Sequence, residues 1–465
     1  MLAEHLRLDA QVDVLVVGAG GCGLVAALAA HDANPQLDIA VVEKLDRLRG
    51  NSMLSSGSIA AAGTRLQQEA GVHDSVQALI ADLDRVAGEH EAPELKHRLA
   101  EVSGELVDWL VDRIGVHLTL VTTYKHVGHS VHRLHSPPSR RGADLMNELF
   151  VKTEQRGIPV AFGNPVVELI VDQTSSVRGV MTRTDSGDVT AIGARAVILA
   201  TNGFGANQKL IARYCPELSG KPYGGAIGSE GEAIEWGLSL GADLRNMQGY
   251  QAHASLANPH GSLVTWTIVE KGGFVIDAQG NRFGNESLGY SAFAALELAR
   301  TGPFFVIADT RVRDLTAAGQ EEYADLVRHG GVIEAPTIAE LASRLGIEAN
   351  TLTRTIEDAS RAAQGSVADP FERTDWGLGP LQAPFTATRI GPALFHTQGG
   401  LRVDINGRVL RKDGAAITGL YAGGGAAAGI SGNRGSAGYI SGNGLLSALG
   451  LGYLSGRAAA HDIRP

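Results

Sequence analysis

Only two cysteines, Cys22 and Cys215, occur in 465 residues. That is too few to ligate an iron–sulfur cluster or to build a structural zinc site, so any redox chemistry must come from an organic cofactor. No apolar run approaches the roughly 18 residues that a membrane-spanning helix requires. The opening Met1-Leu2-Ala3-Glu4-His5 also lacks the basic start and apolar core of a secretory leader. Together these predict a cytoplasmic protein with no membrane partner. Positive charge is scarce as well, with 40 Lys and Arg against 50 Asp and Glu and a net charge of −10. The longest basic cluster is Arg140-Arg141, which excludes a nucleic-acid footprint and leaves small-molecule partners. Aromatic residues make up 5% of the chain, whereas glycines number 60. Such a chain is rich in turns and close backbone approaches.

The glycines are most telling between Val12 and Glu43. Val12-Asp13-Val14-Leu15-Val16-Val17 is a short β-branched run, as in a strand buried on both faces of a parallel sheet. Gly18-Ala19-Gly20-Gly21-Cys22-Gly23 follows, and a helix is predicted from Cys22 to about Asp32. Gly18, Gly20, Gly21 and Gly23 allow a tight turn, approach of the backbone to a pyrophosphate, and close helix packing. The helix N-terminus offers free N–H groups and partial positive charge to that diphosphate. A second strand, Ile39-Ala40-Val41-Val42, ends in Glu43, placed to accept the hydroxyls of an adenosine ribose. This is a dinucleotide-binding unit.

The loop that follows, Gly50-Asn51-Ser52-Met53-Leu54-Ser55-Ser56-Gly57-Ser58, suits a flavin, whose ring needs close backbone and hydroxyl donors. It contains no histidine, which excludes a covalent histidyl link there. Apolar residues at helical spacing from Asp74 to about Val116 predict packing helices. His117, His126, His129, His132 and His135 then invite a metal reading. Their spacings match no zinc pattern, and no carboxylate follows before Asp144, so no metal is expected. Arg195 to Leu199, running into Ala200-Thr201-Asn202-Gly203, reads as the strand returning to the sheet. Leu420-Tyr421-Ala422 with Gly423-Gly424-Gly425 repeats that pattern. Gly442-Asn443-Gly444 opens a last helix, Leu445 to about Ala460, whose N-terminus can face the pyrimidine edge of a flavin. Mixed strands from Gln248 and a helical hairpin from Ile338 to Gln364 read as an inserted cap. The expected fold is α/β: a Rossmann-like, glutathione-reductase-like FAD domain of residues 1–247 and 397–465, with an α+β cap of residues 248–396.

Taken in order, these pieces resemble the flavoprotein family of fumarate reductase, the succinate dehydrogenase flavoprotein subunit and 3-ketosteroid dehydrogenase. The likeness rests on the glycine loop, Glu43-Lys44, Gly50-Asn51-Ser52, Ala200-Thr201, Gln251-Ala252-His253, Arg282-Phe283-Gly284-Asn285-Glu286, His396-Thr397-Gln398-Gly399-Gly400 and Gly419-Leu420-Tyr421-Ala422. It implies non-covalent FAD held by Gly18, Gly20, Gly21, Gly23, Glu43, Lys44, Asn51, Ser52, Ser56, Gly57, Ala200, Thr201, Gly203, Gly424, Gly444 and Leu445. It further implies that His253, His396 and Arg434 hold a substrate carboxylate. Arg313, or alternatively Arg311, would donate a proton that Glu286 relays.

The chain departs from the fumarate reductases in the box Asn285-Glu286-Ser287-Leu288-Gly289-Tyr290, where their arginine is missing. That spelling resembles the ketosteroid dehydrogenases, in which a tyrosine at the position of Tyr290 abstracts a proton. Tyr439-Ile440-Ser441-Gly442 likewise resembles their ketone-polarising tyrosine segment. Gly425 replaces the usual acidic residue after Tyr-Ala-x-Gly. The implied reaction moves a hydride between flavin and the β-carbon of a carbonyl compound, desaturating a small keto acid or a cyclic ketone that carries a carboxylate. A fumarate or succinate enzyme, a steroid Δ1-dehydrogenase and a non-catalytic FAD-carrying subunit remain as alternatives.

Overall fold

The computed structural model describes residues 7–88, 90–123 and 125–463; the residues 1–5 read for a leader lie outside them. The chain divides into two compact units, residues 1–219, 225–250 and 396–465 in the first, and 220–224 and 251–395 in the second.

The first unit is built on an eight-stranded sheet. Its centre is β1 (Ala10–Val17), followed by α1 (Gly21–Ala33) and β2 (Ile39–Val42). β1 pairs in parallel with β2, Val14 opposite Ile39, and with Val189–Leu199, Val14 opposite Ala196. Val160–Ala161 extends the β2 edge, and Ala416–Ala422 pairs beyond Val189–Leu199. Val14, Leu15 and Val16 are fully buried because both faces of a parallel sheet are covered. Every residue of α1 from Gly21 to Ala30 is buried. The reason is the long helix Asn443–Asp462, which lies against it. An ideal Cβ on Gly452 would stand 2.4 Å from Cys22 O, and one on Gly456 2.2 Å from Ala26 O. Only glycines four residues apart allow backbones to approach this closely.

The segment expected as a loop after Gly50 instead contains a one-turn helix, α2 (Asn51–Leu54), entered from the extended residue Gly50. The predicted helical region becomes Val76–Ala87 and Pro93–Asp108, continued by a π-helical turn, Trp109–Ile114.

The second unit carries antiparallel strands Phe274–Ile276, Phe304–Asp309 and Phe385–Thr397, with Ile333–Ala335 pairing on the last of these. Helices Ile338–Leu345 and Ala349–Ala363 bury Leu341, Leu352 and Ile356 against Phe274 and Ile276. Among the described residues no helix is long and apolar enough to cross a membrane.

Candidate active site

At the end of β1 the chain turns through Gly18, whose φ of +108° is open to glycine alone; a Cβ there would meet Ala200 O at 2.4 Å. A Cβ on Gly23 would lie 1.8 Å from Gly18 O, so turn and helix touch backbone to backbone. Gly20, by contrast, has nothing within 4 Å of an ideal Cβ and faces open space. That space is a cavity of about 100 Å³ lined by residues of the first unit. Glu43 is aimed by two bonds: Oε2 accepts from Ala19 N at 2.8 Å and Oε1 from Leu45 N at 2.9 Å. Lys44 binds Glu230 at 2.9 Å and also Glu232. Asn51 Oδ1 accepts from Ala226 N at 2.6 Å, tying α2 to the opposite wall.

Of the residues implied for the cofactor, Gly18, Gly20, Gly21, Glu43, Lys44, Asn51, Ser52, Ala200, Thr201 and Gly424 line this cavity. Gly23, Ser56, Gly57, Gly203, Gly444 and Leu445 do not. Gly203 stands behind it, where a Cβ would meet Thr397 Oγ1 at 2.2 Å; Gly57, at φ +69°, packs on Pro137; Ser56 Oγ shares a hydrogen bond with Ser58 Oγ. Asn202, Ser229 and Trp236 also line the cavity, without any sequence signal for them. Asn202 adopts φ +68° and donates from Nδ2 to Ser229 Oγ at 2.7 Å. Gly425 has no room for a side chain, since a Cβ would lie 2.6 Å from both Asn202 Oδ1 and Gly203 N. The buried Thr201 Oγ1 has no hydrogen-bond partner, and with the side-chain-free glycine face it fits a dinucleotide flavin.

A second polar group gathers at the start of Asn443–Asp462, here α3. A Cβ on Gly444 would lie 3.2 Å from His396 Nε2 and 3.6 Å from Tyr439 OH, so these three positions converge. The rings of His396 and Tyr439 meet edge-on at 5.7 Å. Burial pushes the His396 imidazole down to about 4, opposed by its contact with the Thr397 carbonyl. Asn443 is buried with neither amide atom hydrogen-bonded. Arg434 is exposed, and its backbone pairs with Gln248.

In the second unit His253 stacks on Tyr290, ring centroids 4.4 Å apart and planes 12° apart, with Phe395 at 5.5 Å. Ser255 N donates to His253 Nδ1 at 3.2 Å, which leaves the ring proton on Nε2. Burial pushes this imidazole down to about 3, so it is a neutral donor at physiological pH. The expected relay from Glu286 to Arg313 is not formed. Glu286 is fully buried and accepts from Arg282 Nε at 3.0 Å and Nη2 at 2.6 Å, from Val275 N at 3.2 Å and from Arg373 at 3.4 Å. Arg313 binds Asp314 at 2.7 Å and also Glu334, while Arg311 binds Asp309 at 2.6 Å. Sequence reasoning also missed Glu297, whose carboxyl has no partner on either oxygen and is held well above its ordinary range by burial.

Within the histidine segment His129 and His135 are buried, His126 and His132 are half-buried, and His117 is exposed. His135 Nε2 meets Thr64 Oγ1 at 2.8 Å, and burial pushes His126 to about 3 and His135 to about 4. Among the described residues no group of three or more His, Cys, Asp or Glu is placed to hold a metal.

A family model described as FAD binding domain matches residues 13–440. The NADH:fumarate oxidoreductase of Klebsiella pneumoniae is 32% identical over 418 residues, 89% of this chain but 44% of that protein, so this chain spans less than half its length. The open form of a flavocytochrome c3 fumarate reductase superposes with a TM-score of 0.82 at 28% identity, covering 98% of this chain and 79% of that one. The 3-ketosteroid-Δ4-(5α)-dehydrogenase of Rhodococcus jostii, solved with 4-androstene-3,17-dione, gives 0.80 at 25% identity over 99% of both chains.

Proposed function

The chain belongs to the FAD binding domain family, and from that premise we propose that it is a flavoenzyme interconverting CH–CH and C=C beside a carbonyl. Its substrate is a small keto acid or a cyclic ketone carrying a carboxylate. The observation that carries this reading is the convergence of His396, Tyr439 and the Gly444 backbone, a set of polar groups suited to a substrate oxygen. Gly18, Gly20 and Gly21 with the first turn of α1 would hold the FAD pyrophosphate, Glu43 the ribose, and Asn51, Ser52, Thr201 and the N-terminus of α3 the flavin ring. Bound FAD supplies acceptance or delivery of a hydride at N5.

The remaining steps belong to the chain. Tyr439 and the Gly444 N–H polarise the substrate carbonyl, the Leu445 N–H being left to the flavin, because donors fixed where charge develops are usually the largest catalytic contribution. His253, His396 and Arg434 hold the carboxylate, and Tyr290 moves the proton at the α-carbon. The carboxylates already bound to Arg313 and Arg311 argue against the arginine mechanism of a plain fumarate enzyme. Anaerobic mixing tests the reading: a cyclic keto acid should bleach or reoxidise the flavin faster than fumarate, succinate or a 3-ketosteroid does. If none of these compounds changes the flavin spectrum, a non-catalytic carrier becomes the better reading.

Two expectations follow for the purified protein. FAD should pass into the supernatant on acid precipitation, because the loop from Gly50 to Gly63 offers no histidine for a covalent link; yellow colour retained in the pellet would refute this. Arg434→Met should weaken acidic substrates by about 1.5–3 kcal/mol, as for a lost hydrogen bond to a charged group, with FAD content unchanged. Wild-type KM for the acid in that variant would rule out Arg434 as the anchor.

A further inference from the structure

Gln398, between His396-Thr397 and Gly399-Gly400, is 5% exposed, so its amide must find partners inside the protein. Two backbone bonds fix the residue: its N donates to Gly249 O at 2.8 Å, and its O accepts from Gly429 N at 2.8 Å. Glycines make its seat. A Cβ on Gly429 would lie 2.0 Å from Gln398 Oε1, and one on Gly249 3.2 Å from Gln398 Cβ. Within that seat Oε1 accepts from Ser431 N at 3.4 Å, while Nε2 lies 3.2 Å from His396 Nδ1. All of these residues belong to the first unit.

The neutral His396 ring has two tautomers, and its neighbours pull it in opposite directions. The Thr397 carbonyl, 3.3 Å from Nδ1, only accepts and so favours a proton on Nδ1. The Gln398 amide favours one tautomer or the other according to which of its ends faces the ring. Ser431 N decides. As a donor it holds the amide oxygen on its own side and leaves the NH2 group turned toward Nδ1. Nδ1 is then an acceptor, and the ring proton lies on Nε2. That nitrogen is the one nearest the Gly444 position, 3.2 Å from an ideal Cβ that stands 3.6 Å from Tyr439 OH.

We propose that Gln398 is a positioning residue: its amide outweighs the Thr397 carbonyl and keeps the His396 proton on Nε2, as a neutral donor to the substrate carboxylate. This rests on the reading that His396 helps to hold that carboxylate. Without the amide, the carbonyl draws the proton to Nδ1, and the Nε2 lone pair then faces an anionic oxygen and repels it. Beside the ring the titratable group is Tyr439, and burial rather than an ion pair sets the imidazole low.

Two measurements on the FAD-loaded protein test this. Heteronuclear NMR with heavy nitrogen in the histidines, the His396 signal assigned by its loss in His396→Gln, reads the tautomer. Wild type should carry the proton on Nε2, and Gln398→Met, similar in volume but without the amide, on Nδ1. Titration of the flavin spectrum with 3-oxocyclohexanecarboxylate reads binding. Its Kd should rise about tenfold in Gln398→Met, while that of cyclohexanone stays unchanged. Gln398→Glu supplies a signature that a packing role would not. Its carboxylate holds a proton on Nδ1, so the ring takes up its second proton nearer neutral pH, and binding of the acid should fall as pH rises through that new pKa. This variant carries the test if Gln398→Met does not fold. A wild-type proton on Nδ1, an Nε2 proton retained in Gln398→Met, or a Gln398→Glu profile that follows wild type would overturn the role of Gln398 alone. No binding of the acid by wild type, or a moved proton without a change in its Kd, would sink the reading that His396 holds a carboxylate, and the inference with it.

Discussion

Tyr290→Phe should lower the rate of flavin reduction or reoxidation by substrate by about 10²- to 10⁴-fold, the usual contribution of a positioned acid or base. FAD content should not change, because Tyr290 belongs to the second unit and the cofactor cavity to the first. Phenylalanine preserves the ring that stacks on His253 at 4.4 Å, so the variant removes the hydroxyl and little else. The pH profile identifies the group. If the phenol donates, the rate of substrate reduction falls as pH rises toward the tyrosine pKa; if the phenolate accepts, the rate of desaturation rises there. Either limb should vanish in the variant. His253 cannot produce it, since burial pushes its titration down to about 3. A tyrosine base at neutral pH needs an adjacent cation. Arg313 and Arg311, the candidates offered by sequence, are already neutralised by Asp314, Glu334 and Asp309. In the mechanism proposed above, Tyr290 is the proton donor in the reductive direction. Near-normal rates in Tyr290→Phe with loss of activity in Arg313→Ala would instead restore the arginine mechanism.

Arg133→Met should reduce unfolding free energy by about 3–5 kcal/mol, the cost of leaving buried charges without their partner. Arg133 and Asp74 have fully buried side chains and Asp82 is 7% exposed. The guanidinium binds Asp74 twice, at 2.7 and 2.8 Å, and also Asp82. Burial raises Asp82, but bonds from Arg85, Arg133 and Ser130 outweigh it and hold its carboxyl well below the ordinary range. Stability from such a carboxylate is present above its unfolded pKa, about 4, and is lost as pH falls below it. Wild type and variant, compared by urea unfolding, should therefore differ most near neutrality and converge in acid. Adding Asp74→Asn and Asp82→Asn to Arg133→Met should recover much of the loss, since an uncharged set leaves no unpaired ion. An Arg133→Met curve coincident with wild type at pH 7 would show that the network contributes nothing.

The nucleotide unit was legible because its signals are local. Gly18, Gly20, Gly23 and Glu43 each answer a backbone or charge requirement within one strand–turn–helix–strand segment, and the family match from residue 13 agrees. The inner core of α1 was less legible, because the glycines that cover it, Gly452 and Gly456, lie at the far end of the chain. The partners of Glu286 were hidden for the same reason. Arg282 is a neighbour in sequence, but Arg373 is 87 residues away and carries no motif. The histidine segment, from which no metal site was expected, carried no sign of its actual contacts, since folding sends His129 to a carbonyl and His135 to a hydroxyl far off in sequence. Gly425 stood out in the sequence as a glycine in place of an acid, and the packing of Asn202 and Gly203 supplies a steric reason for it.

The close seating of α3 on α1 also bears on how the protein is made. Cavity walls come from residues 17–52, 164–236 and 424–448, so a nascent chain lacks one wall until residues 424–448 have been made. Until then α1, apolar on every side, has no cover for the face that Gly452 and Gly456 later close. A complete cofactor cavity thus waits for the segment that supplies the third wall, and cover for α1 waits for Gly452 and Gly456 just beyond it.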